Sequence, residues 1–171
     1  CKAKALEYSE EAVRCGGTLK VHIKVDTGMS RLGYLVSGAH FESGVEGICE
    51  ACRLPGLDAE GIFTHFAVSD EEDRESRAYT REQFDLFTSV IEKAEEKLGR
   101  KFALRHCANT GAVAYWPEMM LDMVRPGLLL YGYGDGARRL GLRPVMRLMT
   151  SVSTIKVYEP GTSVSYGRIF K

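Results

Sequence analysis

Helical and strand-like stretches alternate along the first 130 residues, and few architectures accept that order. Residues 3 to 14 read as a helix that Gly16 and Gly17 stop, followed by an apolar strand over 19 to 25. A helix around 40 to 53 ends before Pro55, and "LDAEGIFTHFA" then reads as a second strand. The longest helix spans about 74 to 98, with Phe84, Phe87, Ile91, Ala94 and Leu98 at three- and four-residue steps and Gly99 as its stop. A strand in "FALRHCANT", a short helix opening near Asn109 and an apolar strand in "LDMVRPGLLLYG" complete the series. Such alternation predicts a parallel sheet with helices packed outside it.

Beyond about residue 140 the pattern changes. "PVMRLMTSVSTIKVYEPGTSVSYGRIFK" is rich in β-branched residues, contains a Pro-Gly turn and shows no helical stripe. A second, β-rich domain is expected to begin there. An eight-stranded barrel takes about 250 residues, so four strands amount to half of one. Both ends of the sequence read as cuts.

Composition narrows the function classes. Twenty-three basic residues balance twenty-three acidic ones, which provides no field to recruit nucleic acid or an anionic membrane. No run of eighteen apolar residues occurs, and "CKAKALEYSE" lacks a signal-peptide core, so a cytoplasmic location and a small-molecule partner are expected. Five cysteines do not read as a disulfide framework, and Cys49 and Cys52, a lone CxxC in a helix, read as buried structural thiols. No metal site is expected.

The polar residues within the strands carry the chemical signal. In "HIKVDTGMSRLGY", Val21, Ile23 and Val25 share one face of the strand, while His22, Lys24 and Asp26 share the other. Lys24 and Asp26 close the first strand, His65 the second, Asn109 and Thr110 follow the third, and Arg125 lies at the fourth. The C-terminal ends of parallel strands lie on one side, so these residues converge on the rim where α/β folds place their chemistry. Each has a plainer reading when taken singly. Lys24 reaches solvent past a strand end, His65 bonds a core carbonyl, and Asn109 caps a helix, which is the better reading for Asn109. Arg125 before Pro126 and Gly127 is more pointed, because a buried guanidinium needs acceptors and a glycine lets backbone amides approach a ligand.

Five ordered stretches, "HIKVDTGMSRLGY", "GIFTHFAVSD", "HCANTGAV", "MVRPGLLLYGYG" and "VSYGR", resemble successive motifs of the alanine racemase family across nearly the whole chain. The resemblance implies the second half of a TIM-type (β/α)8 barrel that binds pyridoxal 5′-phosphate, followed by the beginning of a β-rich C-terminal domain. It also implies a homodimer whose active sites are completed across subunits. By the same resemblance Arg31 bonds the cofactor's phenolic oxygen, and Lys24 is the lysine often carried as a carbamate, whose negative charge holds Arg31. Thr110 and the amides of Gly127 and Leu128 hold the phosphate. Arg125 faces the pyridine nitrogen, His65 bonds the catalytic tyrosine, and Tyr166 is that tyrosine. The implied reaction interconverts L-alanine and D-alanine by two-base proton transfer, supplying D-alanine for peptidoglycan. A serine racemase of the same fold and a non-catalytic barrel carrying the same cofactor are the alternatives. One departure stands out: the family's Schiff-base lysine lies in a motif with no match here, and Lys2 and Lys4 do not supply one. The 171 residues alone are therefore expected to be inactive.

Overall fold

The computed structural model describes residues 2–170. Helix α1 (Lys2–Arg14) leads into strand β1 (Leu19–Asp26), and a two-residue strand β2 (Tyr34–Leu35) follows after a glycine-rich loop. Helix α2 (Phe41–Cys52), strand β3 (Leu57–Phe63), helix α3 (Arg74–Leu98), strand β4 (Leu104–His106) and the short helices α4 (Thr110–Tyr115) and α5 (Asp135–Arg139) complete the regular elements. The four strands form one parallel sheet in the order β2-β1-β3-β4.

Local chemistry sets the boundaries. Asp73 caps α3 by accepting from the amides of Glu75 and Ser76, each at 3.0 Å, and Gly99 ends the helix in the left-handed region at φ 65°. The apolar stripe read from the sequence faces the sheet: Phe87, Ile91 and Ala94 are buried, and they pack with Val45 and Ile48 of α2 and with Ile23, Val25 and Ile62 of the strands. Cys49 and Cys52 lie on the packed side of α2 as free thiols, and burial pushes both up, Cys52 to about 11.

The opposite face of the sheet carries His22, Lys24, Phe63 and His106, and its register is irregular at one point. Val21 pairs with Ala59 but His22 pairs with Gly61, so Glu60 is an extra residue in β3. A bulge of this kind re-aims side chains, here placing Glu60 and Gly61 beside His22.

One expectation fails. The apolar run 121 to 132 is no strand: Gly127–Tyr131 form a 3-10 helix, because Pro126 holds φ at −71° and Gly127 enters the left-handed region at φ 43°. Leu128, Leu130 and Tyr131 are exposed along it. After residue 140 the described residues form one antiparallel bridge, Val164 to Phe170, around a 3-10 turn at Tyr166–Arg168. The sequence reading also missed β2 and α5.

Candidate active site

Hydroxyls and amides fix the strand ends before any reactive group is placed. Thr64, just after β3, donates to the Val25 carbonyl at 3.1 Å and meets the Thr27 hydroxyl at 2.7 Å, and Gln83 of α3 donates to Thr27 at 3.3 Å. The Asp26 carboxylate is buried and accepts the amides of Gly28 and Ser30 through one oxygen, at 3.1 and 2.9 Å. That pair of bonds folds the loop carrying Arg31 back over the end of β1.

Arg125 is the centre of the cluster. Its own amide bonds the Ala108 carbonyl at 2.9 Å, which holds the segment against the end of β4. The guanidinium donates to His106 Nδ1 at 2.5 Å, to the Thr64 carbonyl at 2.9 Å and to the Cys107 carbonyl at 3.3 Å, and it lies 3.4 Å from His65 Nδ1. It sits over the Phe63 ring, 5.2 Å from the centroid, and Lys24 Nζ approaches the same ring at 5.9 Å. Burial, followed by the charges of Arg125, Arg31 and Lys24, holds His65 below its ordinary pKa, so the imidazole stays neutral at pH 7. Burial likewise lowers the pKa of Lys24, with Asp26 opposing and Arg31 and Arg125 reinforcing. Lys24 donates to the Leu32 carbonyl at 2.8 Å, and Arg31 is exposed.

Asn109 is the cap anticipated for it: its side-chain oxygen accepts from the Ala112 amide at 3.1 Å and opens α4. Thr110 donates its hydroxyl to the Pro126 carbonyl. A Cβ on Gly127 would stand 3.2 Å from that hydroxyl oxygen, a tight contact, so the glycine leaves the Thr110 hydroxyl uncrowded.

The expected residues divide into two groups. Lys24, His65 and Arg125 come together, and Thr110 and Gly127 form a second contact next to them. Leu128 is 59% exposed beside Gly127, and Tyr166 is fully exposed in a turn far along the chain. The sequence reading missed His106, which is buried and joins Arg125 to His22. Its signal was its place at the end of the third strand, the position that singled out His65 in the second.

A parallel sheet with outer helices, and with charged and hydroxyl groups gathered where the strands end, defines an α/β protein. The chain belongs to the alanine racemase N-terminal domain family, whose description matches residues 1–135. An alanine racemase of Desulforamulus reducens is 44% identical over 156 residues, covering 89% of this chain and 40% of that protein. One of Clostridium tetani is 41% identical over 171 residues, 98% of this chain and 42% of that protein. Among solved structures, an alanine racemase of Clostridium difficile 630 superposes with a TM-score of 0.77 at 36% identity, covering 99% of this chain and 43% of its own. A complex of that enzyme with cycloserine gives 0.73, covering 84% and 38%. The chain thus spans about two fifths of the relatives it matches.

Proposed function

We propose that the protein carrying these residues is a pyridoxal 5′-phosphate-dependent alanine racemase that acts as a cytoplasmic homodimer and supplies D-alanine for peptidoglycan. Residues 1 to 135 are read as the second half of a TIM-type barrel, and residues 136 to 171 as the start of its β domain. The supporting observation is the cluster of Arg125, His65 and Lys24 beside the Thr110 and Gly127 pair, in a chain of this family.

The residues suit the cofactor. The first amides of the 3-10 turn, those of Gly127 and Leu128, have no acceptor inside that turn, and the Thr110 hydroxyl lies beside Gly127. Thr110, Gly127 and Leu128 would hold the phosphate there, Arg31 the phenolic oxygen, and Arg125 the ring nitrogen. The cofactor, when bound, withdraws electrons and so acidifies the substrate's Cα–H bond. Arg125 stays protonated and only donates, so it discourages a proton on the ring nitrogen and restrains that withdrawal.

The remaining roles concern protons. Tyr166 of the partner subunit takes or returns a proton at Cα on one face, with its phenol oriented by the neutral His65. Lys24 is suited to becoming a carbamate, because its lowered pKa raises the share of neutral amine. That amine bonds the carbon of CO2 and releases one proton, leaving a negative group beside the Arg31 loop. No residue of this chain is assigned the cofactor-bearing lysine.

The test uses full-length protein loaded with pyridoxal 5′-phosphate, with L-alanine and L-serine supplied separately in D2O. Loss of optical activity together with deuterium at Cα, faster for alanine, is the expected result. Faster turnover of serine would reassign the substrate, and no turnover of either by cofactor-loaded dimer would overturn the proposal.

A further inference from the structure

Below the rim a chain of polar groups crosses the sheet and ends at the far side of the bulge. Arg125 donates to His106 Nδ1, His106 Nε2 lies 2.6 Å from His22 Nδ1, and His22 Nε2 lies 3.6 Å from a Glu60 carboxylate oxygen. Glu60 is tied in turn to Lys20 at 2.7 Å. We propose that His106 and His22 form a hydrogen-bond column of fixed proton direction that holds the Arg125 guanidinium in place, its outer end facing the Glu60 carboxylate, with His22 as a positioning residue. This rests on the reading of Arg125 as the group facing the cofactor.

The direction follows from donor chemistry. A guanidinium has no acceptor, so His106 must present a bare Nδ1 to it and carry its proton on Nε2. That proton points at His22 Nδ1, which must accept, and His22 therefore carries its own proton on Nε2, towards Glu60. Burial, with the charge of Arg125 next, pushes His106 down to about 4, consistent with an imidazole that accepts at Nδ1 rather than repelling the cation. The lowered pKa of Glu60, due first to Lys20, keeps the terminal acceptor ionised.

The backbone is shaped around this column. Glycine inside a strand weakens it, yet Gly61 sits in β3 without the positive φ that would call for it. A Cβ on Gly61 would stand 2.6 Å from Cγ and Nδ1 of the His22 ring, so the space a side chain would fill belongs to that imidazole. The bulge at Glu60 delivers both the missing side chain and the carboxylate to His22. Phe63 then stacks on His106 at 4.9 Å with the planes 5° apart, fixing that ring's plane.

The column is tested on full-length protein labelled with 15N-histidine. Long-range correlation spectra of the cofactor-free protein should show the proton on Nε2, with Nδ1 bare, for both His22 and His106. Because the guanidinium sets the direction from its own end, Glu60→Leu should leave the Nε2 protons in place, whereas Arg125→Leu should release His106 and His22 to a mixture of tautomers. In a second measurement, pyridoxal 5′-phosphate binding should weaken about tenfold in His22→Leu and recover to within about twofold of wild type in His22→Gln. Glutamine offers both an acceptor for His106 and a donor for Glu60, so a loss of packing alone would not be rescued by it. A proton on Nδ1 of either ring in the folded protein overturns the column, as does His22→Leu binding the cofactor like wild type. Directed tautomers in a protein that never binds the cofactor would instead overturn the functional reading and leave the column intact.

Discussion

Asp26 and His106 show how much a single buried group controls. Asp26 holds the loop after β1 through the amides of Gly28 and Ser30, and Ser30 sits in the left-handed region at φ 55°. Asp26→Ala should lower stability by about 1 to 3 kcal/mol, since two amides lose a charged acceptor, and should increase the mobility of Arg31. Urea unfolding and amide hydrogen exchange at Gly28 and Ser30 check both effects. His106 makes stability depend on pH. Its folded pKa of about 4 lies below the ordinary 6.5, so between those values the unfolded chain takes up a proton that the folded chain refuses. Stability from this residue is present above pH 6.5 and is lost on acidification, by up to about 3 kcal/mol near pH 4, with His65 acting in the same direction. Unfolding measured at pH 7 and pH 5 should differ more in wild type than in His106→Gln. Asp26's two bonds are local and belong to the turn chemistry of an Asp-Thr-Gly stretch, whereas His106's partners were not legible in the sequence because they depend on the pairing of distant strands.

Elements with strong periodic and capping signals were legible, and those set by a special backbone angle were not. Helix α3 follows its apolar stripe to the Gly99 stop, and Asp73 begins it as an N-cap. Asp73→Ala should cost about 1 kcal/mol, read as a lower melting temperature with the site residues unmoved. The run Leu128–Tyr131 looked like a strand because its side chains are apolar, whereas the proline and glycine before it fix a tight turn. Strand β2 spans only two residues, too few to leave a period-2 pattern. The candidate cluster was legible where position at a strand end carried it, as for Lys24 and His65, while Arg125 was singled out by the Pro126 and Gly127 that follow it. Tyr166 rested on resemblance alone, and no contact in this structure draws it towards His65.

At the scale of the whole molecule, the tail after residue 140 differs from the rest. Leu148, Val157 and Ile169 are each more than 90% exposed, and Ile155 is 86% exposed, on backbone with little pairing. Apolar, β-branched side chains displayed this way favour association. The 171-residue chain expressed by itself should elute at sizes that grow with concentration, bind a hydrophobic dye and show no racemisation. Monomeric behaviour up to about 100 μM would contradict that expectation. Among the described residues no helix is long and apolar enough to cross a membrane.

The fit of the His22 ring into the space above Gly61 has a consequence for how this sequence can vary. The two positions, 39 apart in the sequence, share a single volume, so neither can be exchanged without reference to the other. A side chain at position 61 demands a smaller residue at position 22, and that smaller residue interrupts the path from Arg125 to Glu60. Descendants of this chain can thus trade the imidazole for a sturdier strand, or keep the imidazole and the glycine together. Single-step mutation reaches neither exchange without first passing through a crowded or a hollow intermediate, which makes the pair a slow coordinate of divergence.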